Sequence, residues 1–118
     1  VGVMVELDRR AVERARDRAR AKGLTVRCLA ARVEERLEKL LPADAVIVNP
    51  PRAGLSEQVT RLLASAPPQR LVYVSCDPAT LARDLERLGA TRDRIASVQA
   101  FDMFPETSHI ETAVVLDR

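Results

Sequence analysis

No apolar run in this sequence approaches the roughly 18 residues of a membrane-spanning helix. Nor does a basic segment precede an apolar one in the manner of a secretory leader. A cytoplasmic protein with no membrane partner is therefore expected. Cysteine is scarce. Cys28 and Cys76 lie too far apart for a metal-binding knuckle, so no metal is expected, and a disulfide between them is not expected in a cytosolic chain. Charge of one sign is also missing: 19 Lys and Arg against 17 Asp and Glu leave +2, a balance that neither demands nor excludes nucleic acid. There is no internal repeat, low-complexity tract or linker. An initiator Met and a polar lead-in are absent too, because the chain opens at Val1 inside a strand pattern, and an excerpt from something longer is expected.

What is present is one domain's worth of chain, 118 residues, 47% hydrophobic and 31% charged. Residues 1–6 read as a strand. Arg9–Lys22 follows as a helix, with Val12, Ala15 and Ala19 at helical spacing and Gly23 as its stop. Residues 25–29 read as a second strand, and Val33, Leu37, Leu40 and Leu41 mark a second helix ended by Pro42. Ala45–Val48 reads as a buried strand that runs into Asn49-Pro50-Pro51, where two prolines cannot continue a ladder. Ser56 is placed as the N-cap of a third helix carrying Val59, Leu62, Leu63 and Ala66 on one face. Residues 71–75 form the next buried strand. A fourth helix starts at Pro78, with Leu81, Leu85 and Leu88 as its stripe and Gly89 as its end. Residues 95–101 and 112–116 then look like strands joined without a helix, which predicts an antiparallel pair at the sheet edge. Sustained strand–helix alternation predicts a doubly wound α/β sandwich, its mostly parallel sheet covered on both faces.

In such sheets ligands bind outside the carboxyl ends of the strands, and three unusual loops fall there. Glu6 ends the first strand, where a carboxylate can accept both hydroxyls of a ribose; it can equally be a strand-end acid paired with Arg9 or Arg10. Asn49 donates and accepts hydrogen bonds, and the prolines after it hold a rigid backbone that can present a polar edge to a planar ring, or that merely leaves the sheet. Cys76 lies between a strand and a helix, facing the positive end of the helix dipole, a setting that favours thiolate; the other reading is an inert buried cysteine. Cys28, in mid-strand, reads as core. His109 and Glu111 share one side of the last strand, as a base with its neighbour or as solvated residues. The Arg-rich first helix can touch phosphate or simply be solvated.

Together, Val5-Glu6, the run from Asn49-Pro50-Pro51-Arg52 to Leu55, the run from Val72 through Ser75-Cys76-Asp77-Pro78-Ala79-Thr80 to Asp84-Leu85, Asp102-Met103-Phe104-Pro105 and Thr107-Ser108-His109-Ile110-Glu111 resemble the catalytic domain of the RNA uracil-5-methyltransferases, which make 5-methyluridine in tRNA or rRNA. The Ser-Cys-Asx-Pro-Ala-Thr stretch is the most specific part of the resemblance. It implies a Rossmann-like methyltransferase domain over residues 1–118, with S-adenosyl-L-methionine as cofactor and RNA as substrate. Cys76 would be the nucleophile that adds to uracil carbon 6, and Glu111 the base that removes the carbon 5 proton. Glu6, Arg32 and Asn49 would hold the cofactor, and Asn49, Arg52 and His109 the base. The sequence departs from the family in having Asn49 where Asp is usual, Arg32 where a polar or acidic contact is frequent, and Met4 where Gly is usual. The resemblance also implies that the first strand and glycine-rich loop precede Val1. That strand would lie between those starting at Val1 and Ala45, so its place is expected to be filled by the rest of the protein or by a second chain, and the isolated 118 residues are expected to be inactive.

Two other readings are weighed against this one. A truncated, non-catalytic module that binds RNA or a partner has no use for both Cys76 and Glu111. An amino-group methyltransferase would follow Asn49-Pro50-Pro51 with an aromatic rather than Arg52, and leaves the Cys76 loop unexplained.

Overall fold

Capping residues fix where three of the described helices start. The computed structural model describes residues 2–102 and 110–117, in two units, Val1–Leu40 and Leu41–Arg118. In the first, β1 (Gly2–Glu6) leads through α1 (Arg9–Ala21) to β2 (Val26–Ala30), and α2 (Val33–Leu40) follows. Asp8 caps α1 by accepting from the Arg10 amide at 2.9 Å. At the other end Leu24 donates to the Ala19 carbonyl and Gly23 to that of Arg20. This closure needs a left-handed residue, supplied by Gly23 at φ 67°. β1 and β2 are parallel, with Met4 opposite Cys28 and Glu6 opposite Ala30. Val12 and Cys28 are buried, as a core reading of Cys28 requires. The ladder turns the Cys28 carbonyl toward the free edge of β2, where Arg16 donates to it at 3.0 Å and blocks further pairing there.

The second unit contains β3 (Ala45–Val48), α3 (Glu57–Ser65), β4 (Arg70–Ser75), α4 (Pro78–Arg87), a 3-10 turn at Gly89–Arg94, β5 (Ile95–Phe101) and β6 (Glu111–Asp117). Its sheet runs in the order β3-β4-β6-β5. β3 and β4 are parallel, whereas β6 is antiparallel to both of its neighbours. The predicted antiparallel pair is thus present, with β6 inserted beside β4 and β5 at the edge. Ser56 caps α3 through the Val59 amide, and the first turn of α4 begins at Pro78, as read from the sequence.

Both crossovers, β3 to β4 and β4 to β5, advance the same way across the sheet, so right-handed connections place α3 and α4 on one face. That face holds the core of this unit: Leu71 and Tyr73 of β4, Val114 and Leu116 of β6, Leu81 and Leu88 around α4, and Val59 and Leu63 of α3. The opposite face, with Val72, Val74 and Val115, is only half-buried. The reading of β3 as buried is corrected: none of its residues is buried, and Ile47 is 73% exposed. The physical reason is position, since β3 is an edge strand with β4 as its one partner among the described residues. β1 has β2 alone.

Leu63 is fully enclosed, so Leu63→Ala is expected to lower the unfolding free energy by about 2–5 kcal/mol. Ile47→Thr, at an exposed position, should change it by less than about 0.5 kcal/mol. Urea denaturation of the two variants measures both values, and equal losses would contradict the assigned core.

Candidate active site

Strand direction decides which residues meet. β3 and β4 point the same way, so Asn49, just after β3, and Cys76, just after β4, emerge at one end of the sheet. β6 runs back, so its first residue, Glu111, lies at that same end. The ladder ends with Ser75 paired with Thr112, the residues next in sequence to Cys76 and Glu111. Glu111 pairs with Phe101 of β5. The structure thus brings together three of the residues singled out from sequence, Asn49, Cys76 and Glu111.

The segment around Cys76 is tightly tied. Buried Ser75 accepts from the Asp77 amide at 3.0 Å and donates to the Asp77 carbonyl at 2.8 Å. The Asp77 carboxylate accepts from the amides of Ala79 and Thr80. The first free amides of α4 therefore go to Asp77, and Pro78 has none to give. Between these anchors Cys76 is half-buried, with a free thiol. Glu111 is also half-buried. Its Oε2 is enclosed and has no hydrogen-bond partner among the described residues. An enclosed carboxylate oxygen left unpaired is costly, and it keeps its capacity to accept a proton or a hydrogen bond.

Asn49 is exposed, and after it Pro50 and Pro51 lead into a turn in which the Gly54 amide donates to the Pro51 carbonyl at 2.8 Å. Arg52 occupies this turn and is exposed. The turn is held by residues to which the sequence reading gave no role. Asp84, fully buried, accepts from the Leu55 amide at 2.8 Å and from the Tyr73 hydroxyl. Arg83 donates to Asp84 at 3.0 Å and to the Ala53 carbonyl at 2.6 Å. The signal was available, because Asp84 interrupts the Leu81–Leu88 apolar stripe, and a carboxylate at a stripe position requires partners.

The two cofactor candidates of the first unit share the carboxyl end of its strands. Glu6 is exposed, and its Oε1 accepts from the Asp8 amide at 3.1 Å. The alternative pairing with Arg9 or Arg10 is not found. Arg32 follows β2 and lies 3.9 Å from Glu34, with its side chain 61% exposed. His109 lies outside the described residues, as do the Met103-Phe104-Pro105 and Thr107-Ser108 portions of the motif.

Residues 13–118 match the family model described as tRNA (uracil-5-)-methyltransferase. The chain belongs to this family. An uncharacterized RNA methyltransferase of Gloeobacter violaceus is 46% identical over 117 residues, covering 98% of this chain and 25% of that protein. One from Caldanaerobacter subterraneus is 40% identical, covering 97% and 26%. The chain thus spans about a quarter of the length of these curated relatives. The Pyrococcus abyssi tRNA (uracil-54, C5)-methyltransferase, solved in complex with S-adenosyl-L-homocysteine, superposes with a TM-score of 0.84 at 34% identity, covering 97% of this chain and 28% of that one. A Streptococcus thermophilus rRNA methylase superposes at 0.66 with 13% identity over 98% of this chain and 72% of its own, a likeness of fold alone. The α/β architecture is that of the S-adenosylmethionine-dependent methyltransferases.

Burial of Tyr73, then its bond to Asp84, raises its pKa above the ordinary 10.0. An unfolded chain ionises this tyrosine near pH 10 while the folded chain keeps the proton. The stabilisation is therefore complete below pH 10 and is lost as pH rises beyond it. Tyr73→Phe should be less stable at neutral pH and lose less stability between pH 10 and 11, as read by thermal unfolding. Parallel alkaline limbs would contradict the buried bond.

Proposed function

We propose that the whole protein methylates carbon 5 of a uracil in tRNA or rRNA, with Cys76 as nucleophile, Glu111 as general base and S-adenosyl-L-methionine as methyl donor. One observation carries this reading: the reversed strand β6 sets Glu111, with its unpaired, enclosed Oε2, at the sheet end where Cys76 emerges from β4. An acid–base group and a thiol in such proximity suit a reaction that adds to one ring carbon and deprotonates the next.

The donor set of the first unit fits the cofactor. Glu6 has a carboxylate oxygen to offer to ribose hydroxyls, since its recorded bond is a single local amide, and exposed Arg32 stands at the same strand ends for the adenine side. Asn49 offers both a donor and an acceptor. When bound, the cofactor supplies the methyl group that carbon 5 accepts. The other work belongs to this chain. The Cys76 thiolate adds to carbon 6, and the ring electrons move onto carbon 5 and its carbonyl as an enolate. After methylation Glu111 takes the proton from carbon 5, and the carbon 6–sulfur bond breaks, regenerating the thiolate and the unsaturated ring. A stacked base is out of reach of such a thiol, so the uridine is taken flipped or from a loop. Arg52 and His109 are assigned to the base pocket. Because the chain spans a quarter of its relatives, RNA selection and any strand that pairs with the free edges of β1 and β3 are assigned to the remainder of the protein or to a second chain.

The test uses the full-length protein with RNA carrying 5-fluorouracil, whose fluorine cannot leave as a proton does. With S-adenosyl-L-methionine present, a complex that survives a denaturing gel is expected, and it is absent in Cys76→Ala. Glu111→Gln should slow turnover on ordinary RNA by about 10²–10⁴-fold while accumulating the adduct. No complex, despite measured cofactor and RNA binding, would favour a non-catalytic module.

A further inference from the structure

We infer that Asp84 is a positioning residue for this reaction, setting the loop that carries Asn49 and Arg52 against the segment that carries Cys76; the inference rests on the methyltransferase reading above. Asp84 is 0% exposed, yet it lies on α4 among apolar neighbours. Its Oδ2 accepts from the Leu55 amide and the Tyr73 hydroxyl, and its Oδ1 from Arg83 Nε and Nη2. These donors come from the loop after β3, from β4 and from α4 itself. Cys76 sits three residues beyond Tyr73 and two before Pro78, where α4 begins, so both flanks of the nucleophile are tied to this carboxylate.

The loop is held just as closely. A Cβ added to Gly54 would lie 2.5 Å from Asp84 Oδ2 and 2.7 Å from Arg83 Nη2, and Gly54 has φ +77°. Only glycine lets the turn press onto the carboxylate. Arg83 also holds the Ala53 and Leu55 carbonyls, on either side of this glycine. From Gly54 back to Asn49 the chain passes through Pro50 and Pro51, whose φ is fixed by their rings, so an anchor at Leu55 restricts where Arg52 and Asn49 can stand. A buried ion pair is a weak source of stability, and well-packed apolar side chains often replace one without loss. What an apolar side chain cannot do is fix three segments by directional bonds.

The experiment compares wild type, Asp84→Asn, Asp84→Leu and Tyr73→Phe in the full-length protein. It follows the rate constant of covalent complex formation with 5-fluorouracil RNA, which counts only folded sites, together with cofactor affinity and thermal unfolding. A displacement of about 1 Å costs on the order of 10²-fold in rate. That loss is expected for both Asp84 variants, with a smaller one for Tyr73→Phe and a distinctly smaller loss of cofactor affinity, because Glu6 and Arg32 are untouched and only Asn49 of the cofactor set lies on the loop. If the rate constant of the folded fraction is unchanged while the melting temperature falls, Asp84 is merely structural and the inference is overturned. Equal losses in rate and cofactor affinity would overturn it as well. If wild type itself forms no complex, the methyltransferase reading fails and takes this inference with it.

Discussion

The site depends on one reversed strand. A strand that returns through a crossover helix must run parallel to its predecessor, and its first residue then lies at the end of the sheet away from the βα loops. β6 instead pairs antiparallel with both β4 and β5, so it runs backward and its first residue stands among the loops. That reversal lets Glu111 join Cys76 and Asn49 at a single sheet end. If β6 were parallel, the same sequence would place its carboxylate at the far end of β4, some 15–20 Å away by the length of a six-residue strand.

Two carboxylates near this sheet end are treated in opposite ways. Asp84 is enclosed and surrounded by donors from three segments. Glu111 is partly enclosed and keeps Oε2 unpaired among the described residues. A saturated carboxylate holds its surroundings in place and is a poor acceptor for anything further, whereas an unpaired one retains the capacity to accept a proton. Residues of the same charge in one unit of the chain thus differ in how far their oxygens are already engaged.

Much of this was legible in the sequence because local chemistry dictated it. The cap at Ser56, the helix start at Pro78, the stops at Gly23 and Gly89, and the strands at Ala45–Val48 and Ile95–Phe101 follow from turn residues and periodicity that act within a few positions. The convergence of Asn49 and Cys76 followed from βα topology. The exposure of Ile47 was not legible, because an Ala-Val-Ile-Val run reads the same whether its strand is flanked on both sides or lies at an edge. Asp84 was overlooked for a different cause. Its position on the apolar stripe was visible, but its partners Leu55 and Tyr73 are 29 and 11 residues away, and only the fold brings them together.

The candidate residues also fall into two groups along the chain. Glu6 and Arg32 stand at the strand ends of the first unit, while Asn49, Cys76 and Glu111 stand at those of the second. Each group is ordered by contacts inside its own unit: Glu6 by the Asp8 amide and the β1-β2 ladder, and Cys76 by Ser75, Asp77 and the elements tied to Asp84. Placement within a unit therefore needs nothing from the other.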